Sequence, residues 1–178
     1  MQRKLADPLE MLDVRPLRVA DRDAVAGLFE RLSVQSRYRR FFSLKPYLTE
    51  RELARLTDVD HVGDEALAAL DAAGRIVAIA RYAADRSRPA TAEIAVEVAD
   101  DHHGRGIGSA LVRRIVERAR ENCYRRLTAN VMWDNGPARA LFKRLGFRAA
   151  GAAGAAVELE LELEPACSER SASPAHAA

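Results

Sequence analysis

Three glycines alternate with two other residues in Gly104-Arg105-Gly106-Ile107-Gly108, between a run of alternating polarity and a run of helical periodicity. Glycine lets the backbone turn at positive φ and lets a ligand come close to main-chain N–H groups. Beyond the loop, Leu111, Val112, Ile115, Val116 and Ala119 recur at helical spacing, so the loop opens a helix. The first N–H groups of a helix have no intrahelical acceptor and lie at the positive end of its dipole, which suits an anion and phosphate above all. Ser109 in the first turn adds a hydroxyl that can donate to phosphate, and His103 and Arg105 flank the bend.

The residues before the loop carry the second piece of chemistry. Ala92, Ile94, Val96 and Val98 fall on one face of a strand, and Glu93, Ala95 and Glu97 on the other. A carboxylate beside an anion site can accept a proton from an amine, whose ordinary pKa near 10.4 keeps it charged at neutral pH. Glu93 is the first candidate for that base and Glu97 the reserve; the plainer reading of Glu93 is an exposed strand carboxylate without a task.

Several classes are excluded. The phosphate-loop pattern G-x-x-x-x-G-K-[ST] is absent, and the glycine spacing is not the dinucleotide G-x-G-x-x-G. His102 and His103 are adjacent on a turn with no third ligand at metal spacing, so no metal site is expected. Cys123 and Cys167 are the chain's two cysteines; they suggest neither a disulfide framework nor a zinc site, and a reduced, cytoplasmic protein fits. The net charge is +2, and the arginine clusters at 37–40 and 113–120 lack interleaved aromatics, so a nucleic-acid partner is not expected. No run approaches the ~18 apolar residues of a membrane span.

The 178 residues suffice for one domain. Residues 1–10 read as a loose lead-in, 11–19 as an edge strand around Pro16, and Asp21 as the cap of a helix carrying Val25, Leu28, Phe29 and Leu32. A second short helix runs from Ser33 to Phe42, with Phe41 and Phe42 expected in the core. Thr49-Glu50-Arg51-Glu52 is a capping box that opens a third. Apolar runs at 66–70 and 76–83 make a hairpin about Gly74, and 91–98 follows as a third antiparallel strand. After the helix that follows the loop come a strand at 127–132, a helix capped by Asn135 with Pro137 in its first turn and closed by Gly146, and an alternating strand at 157–163. Residues 164–178 are small and polar and read as a disordered tail.

Over roughly residues 11–163 the chain resembles the GCN5-related N-acetyltransferase family. His103-Gly104-Arg105-Gly106-Ile107-Gly108 matches its acetyl-CoA loop pattern, Q/R-x-x-G-x-G/A, with histidine in the first place. Asn135 and Gly146-Phe147 match its second signature. The resemblance implies a mixed α/β (α+β) fold, with a mostly antiparallel central sheet splayed at the acetyl-CoA site and flanked by helices. It implies acetyl-CoA as cosubstrate, with pyrophosphate held by residues His103 to Ser109, pantetheine paired with the backbone of Val96 and Val98, and Asn135 at the cofactor. Within the family, Ala92-Glu93-Ile94-Ala95-Val96 and the segment Ser36 to Phe42 resemble the bacterial protein lysine acetyltransferases, where a glutamate at the place of Glu93 is the base. In the family fold that segment covers one side of the acceptor site, which makes Ser36 to Phe42 a candidate substrate wall beside the core reading of its phenylalanines. The implied acceptor is then a protein lysine, for example on an acyl-CoA synthetase. A small amine or amino acid as acceptor, or a CoA-binding sensor without turnover, are the alternatives, and monomer and homodimer are both open. Phe142 stands where many members have a tyrosine acid; Tyr124 and Tyr38 are the other tyrosines considered for that role.

Overall fold

The computed structural model describes residues 8–164 and 166. Among them, strands β1 (Asp13–Pro16), β2 (Asp64–Leu70), β3 (Ile76–Ala84), β4 (Thr91–Val98), β5 (Arg126–Met132), β6 (Arg148–Ala153) and β7 (Ala156–Glu162) form one sheet of order β1-β2-β3-β4-β5-β7-β6. Every neighbouring pair is antiparallel except β4 with β5. Helices α1 (Arg22–Glu30), α2 (Val34–Phe41), α3 (Glu50–Thr57), α4 (Ile107–Glu121) and α5 (Gly136–Arg144) flank it. The expected mixed, mostly antiparallel architecture is present.

Local chemistry sets the helix starts. Ser33 Oγ accepts the Ser36 N–H to begin α2, and Asn135 Oδ1 accepts the Ala138 N–H to begin α5, with Pro137 in its first turn. At α3, Thr49 Oγ1 accepts the Glu52 N–H while the Glu52 carboxylate accepts the Thr49 N–H, the reciprocal box. Asp21 stands at the cap position of α1, but its carboxylate is spent elsewhere: it takes both Arg15 guanidinium nitrogens at 2.8 Å and the Arg18 N–H. That pair ties the edge strand to the first helix.

Two apolar layers hold the sheet. On one face Leu111, Val112 and Ile115 of α4 pack on Tyr82, Ile94 and Leu127; on the other Val25, Leu28 and Leu53 pack on Ala66, Ala68 and Ile79. Burying each large side chain of this kind contributes about 1.5–3 kcal/mol.

The feature that matters most for the site is where β4 and β5 stop pairing. Their parallel ladder covers Thr91–Arg126, Ala92–Leu127 and Glu93–Thr128 only, although both strands run on. β4 stays with β3 as far as Val98, and β5 stays with β7 as far as Met132, so the two part company beyond Glu93.

Three findings depart from the sequence expectations. β6, Arg-Ala-Ala-Gly-Ala-Ala, has no alternating apolar pattern and exists because it completes the outer edge of β7, with a register shift between Ala149 and Gly151. Leu9, in the expected lead-in, is 3% exposed within the α4-side core. Cys123 is disulfide-bonded, which the wide sequence separation of the two cysteines did not suggest; Cys167 lies outside the described residues, as do residues 1–7 and the rest of the expected tail beyond Ala166. No helix among the described residues is long and apolar enough to cross a membrane.

The α3 box is a pH-sensitive element. Its Glu52 carboxyl is lowered from 4.5 to about 2, chiefly by Lys45, then by the Thr49 N–H and hydroxyl. A carboxyl depressed in the folded state stabilises fully above its unfolded value and loses that contribution as pH falls through the folded one. Urea midpoints of the wild type should therefore drop between about pH 4.5 and 2, and Glu52→Gln should flatten the dependence in that window.

Candidate active site

The gap between β4 and β5 is a cleft of about 780 Å³, lined by β4 from Glu93 to Val98, the glycine loop, the start of α4, and Ala138, Leu141 and Phe142 of α5. Gly104 and Gly106 have φ of 75° and 80°, the left-handed region where glycine is favoured. Gly106 is the cap residue of α4 and its carbonyl accepts the Ala110 N–H at 3.0 Å. The N–H groups of Ile107, Gly108 and Ser109 precede that first α-helical bond, and all three residues line the cleft. At Gly108 a Cβ would lie 3.3 Å from both Leu141 Cδ1 and Val98 Cγ2, so the helix start sits tightly against strand and α5. Ile107 turns its side chain into the core.

The loop is fastened from two sides. His103 Nε2 donates to the Val98 carbonyl at 2.9 Å, which fixes the proton on that nitrogen because the partner only accepts. Pro8 packs over Gly106, its Cγ 2.9 Å from where a Cβ would be. Arg105 does not line the cleft; its guanidinium donates to the Asp101 carbonyl at 2.8 Å. An anion at this helix start would meet backbone N–H groups, the positive end of the helix dipole and the Ser109 hydroxyl. Asn135 lines the cleft while capping α5, its Oδ1 occupied and its amide N–H₂ left to donate.

Glu93 is exposed and lies at the apex of the gap, the last β4 residue paired to β5. Asn130 Nδ2, from β5, donates to Glu93 Oε1 at 3.2 Å. Asn130 is absent from the sequence expectations; its one trace there is a polar residue amid the apolar end of β5, Ala129-Asn130-Val131-Met132. The reserve base Glu97 is committed, its carboxylate 2.9 Å from Arg40 Nε and its side chain 8% exposed.

The expected core placement of Phe41 and Phe42 does not hold. Both line the cleft, and Phe42, 43% exposed with φ of 56°, ends α2 in a left-handed turn. Phe142 is buried edge-on to Phe147 at 4.9 Å and forms an apolar wall with no proton to give. Tyr124 donates its hydroxyl to the Gly63 carbonyl, and neither it nor Tyr38 lines the cleft. No described tyrosine is placed to act as an acid there.

The span that holds this slot and its glycine-capped helix start is matched, over residues 29–147, by the model of the Acetyltransferase (GNAT) family. The chain belongs to that family and is an acetyl-CoA-dependent N-acyltransferase. It is 34% identical over 137 residues to Acetyltransferase PA5475 of Pseudomonas aeruginosa, covering 75% of this chain and 73% of that one. It is 32% identical over 139 residues to Acetyltransferase Pat of Mycolicibacterium smegmatis, covering 77% of this chain but 41% of that protein, so it spans less than half of that relative's length. Among solved structures, the GNAT domain of S. lividans PAT superposes with a TM-score of 0.80 at 32% identity, over 85% of this chain and 90% of that one.

Gly106→Glu tests the loop. It places a Cβ at positive φ against Pro8 and a negative charge at the helix start. Calorimetric affinity for acetyl-CoA should fall at least about tenfold, as expected when a charged hydrogen-bonding site is disrupted, with the melting temperature recorded alongside to separate folding from binding.

Proposed function

We propose that the chain transfers acetyl from acetyl-CoA to the ε-amine of a lysine on an acceptor protein, with Glu93 as general base. The observation that carries this reading is the end of the β4–β5 ladder at Glu93, which puts a carboxylate at the apex of the slot that the glycine loop closes at its far end.

The residues fit the cosubstrate. The N–H groups from Ile107 to Ser109 and the Ser109 hydroxyl suit its diphosphate, with His103 and Gly104 shaping the bend. The edge of β4 released from β5 offers backbone groups at Val96 and Val98 to the amides of the pantetheine arm, much as a further strand would. Asn135, the cap residue before α5, would donate its amide N–H₂ to the same ligand.

Acetyl-CoA supplies a thioester, whose carbonyl carbon takes a neutral amine and whose thiol leaves. Glu93 accepts the proton of the acceptor ammonium, directly or through a water, so that the nitrogen lone pair becomes available. Asn130 holds Glu93 through a neutral amide, which orients the carboxylate without cancelling its charge. A backbone N–H at the level of Val96 or Val98 stabilises the oxygen that gains charge as the C–N bond forms. With Phe142 unable to protonate sulfur, the C–S bond breaks with sulfur leaving as thiolate, which by analogy with cysteine a pKa near 8.5 permits, and the second proton on the nitrogen of the new amide passes to water.

Lysine as acceptor rests on the β4 segment Ala92-Glu93-Ile94-Ala95-Val96, which resembles that of bacterial protein lysine acetyltransferases. An acyl-CoA synthetase in the cytoplasm is the kind of acceptor this reading implies, with the catalytic unit at 11–163. A small amine or amino acid is the second reading, favoured by an arginine-lined hollow beside Glu93.

Glu93→Gln should retain acetyl-CoA affinity and lose ~10²–10⁴-fold in kcat at neutral pH, the range for removal of a general base. Activity should climb as pH approaches the amine's ordinary value near 10.4, where the nitrogen sheds its proton unaided. A thiol-release assay across pH, with a lysine peptide as acceptor, reads both; unchanged turnover at pH 7 would remove Glu93 from the role.

A further inference from the structure

β3 is apolar along its whole length except for one residue: Ile76-Val77-Ala78-Ile79-Ala80-Arg81-Tyr82-Ala83-Ala84. The register sets Arg81 opposite Ala95, so its side chain shares the face of Glu93 and Glu97, its diagonal neighbours on β4 at roughly 7–8 Å. Over that face α2 and α3 leave a hollow of about 320 Å³, lined by Arg40, Arg55 and Arg81 together with Glu52 and Glu93. Glu93 and Ala95 line both this hollow and the cofactor cleft, so the two meet at the base.

The charges in the hollow are not balanced pair by pair. Lys45 holds Glu52, and Arg40 is taken by Glu97 at 2.9 Å. The guanidinium groups of Arg81 and Arg55 make no hydrogen bond or ion pair with any described residue. Arg81 is half-buried; burial first, then the charge of Arg40, holds its pKa below the ordinary value, and the carboxylates of Asp64 and Glu97 nearby offset that only in part, without a direct ion pair. A cation partly withdrawn from water beside another cation is costly unless an anion completes it. The planar fork of arginine matches a carboxylate, with two parallel N–H donors for its two oxygens.

We propose that this hollow is an anion subsite for the acceptor: Arg81, with Arg55 at the rim, takes a carboxylate of the molecule whose amine is presented to Glu93. The proposal rests on the transfer reading above and narrows its acceptor to an amine with a carboxylate close by. That carboxylate belongs either to an acidic residue next to the target lysine or to a free amino acid.

The test is calorimetry on the full chain loaded with CoA, which needs no turnover. Two ligand pairs are titrated: a peptide with lysine followed by glutamate against its glutamine counterpart, and free lysine against lysinamide. In at least one pair the carboxylate member should bind wild type ~10- to 100-fold more tightly, the range for a hydrogen-bonded charge pair. Arg81→Met should erase that difference while CoA affinity is unchanged, and Arg81→Lys should restore part of it. The pair with the larger difference identifies the source of the carboxylate. Equal affinity within both pairs, no binding of any ligand, or a difference that survives in Arg81→Met would overturn the proposal. Thiol release measured with the same ligands is scored separately: a carboxylate preference in binding without turnover would defeat the Glu93 transfer reading and leave the subsite standing.

Discussion

A sheet that could have been continuous is interrupted after three residue pairs, and the site depends on that interruption. Ladder hydrogen bonds between β4 and β5 end at Glu93–Thr128, and from there each strand satisfies only one edge, β4 through β3 and β5 through β7. Buried backbone groups left without partners are costly, so a permanent gap of this kind has to be held open and has to be finished by something. Side chains hold it: Leu141 and Phe142 of α5 line the gap, and Leu141 meets Val98 over Gly108 at the start of α4. An extended ligand carrying amides would suit it, since such a ligand can pair with a strand edge as another strand does. The defect thus yields both the slot and the position of the carboxylate at its apex.

The same packing explains why the loop needs its glycines at particular places. Gly106 must adopt a left-handed φ to bring the chain from the strand end into α4, and Pro8 leaves no room above it. Gly108 must be bare because Val98 and Leu141 close over it. His103 then pins the bend to the strand through the Val98 carbonyl. With Arg105 turned to Asp101, what the loop offers an anion is a set of backbone dipoles already fixed in place, and binding through them would avoid the entropy of ordering long side chains.

Periodicity and capping made most of the architecture legible. The alternation of β4 and β7, the helical spacing in α4, and the caps Ser33, Thr49 and Asn135 each encode an element locally, and those elements lie where they are expected. What escaped is set by distant partners. β6 has no pattern because its stability comes from an edge supplied by β7, and Leu9 is buried by α4-side residues far along the chain. At the site, the glycine loop and Glu93 announce themselves by residue type. Asn130 and Arg81 do not: each is one polar residue in an apolar strand, and its meaning depends on which strand lies alongside. Phe41 and Phe42 carry the composition of a core, yet they line an open cleft, a difference that only the placement of α2 decides.

Three carboxylates gather around the acceptor side of β4, and their partners sort them. Glu52 is held by Lys45 and by its own helix cap, and its depressed pKa makes it a poor proton acceptor at neutral pH. Glu97 is closed off by Arg40 and almost without solvent contact. Glu93 alone faces the cleft with no cation paired to it among the described residues, held only by the neutral amide of Asn130. A base must keep its charge uncompensated until the ammonium comes, whereas a cation fixed beside it would weaken its pull on the proton. With Arg40 paired to Glu97, the nearest direct ion pair on this face goes to the other carboxylate, and Glu93 keeps only the neutral amide of Asn130.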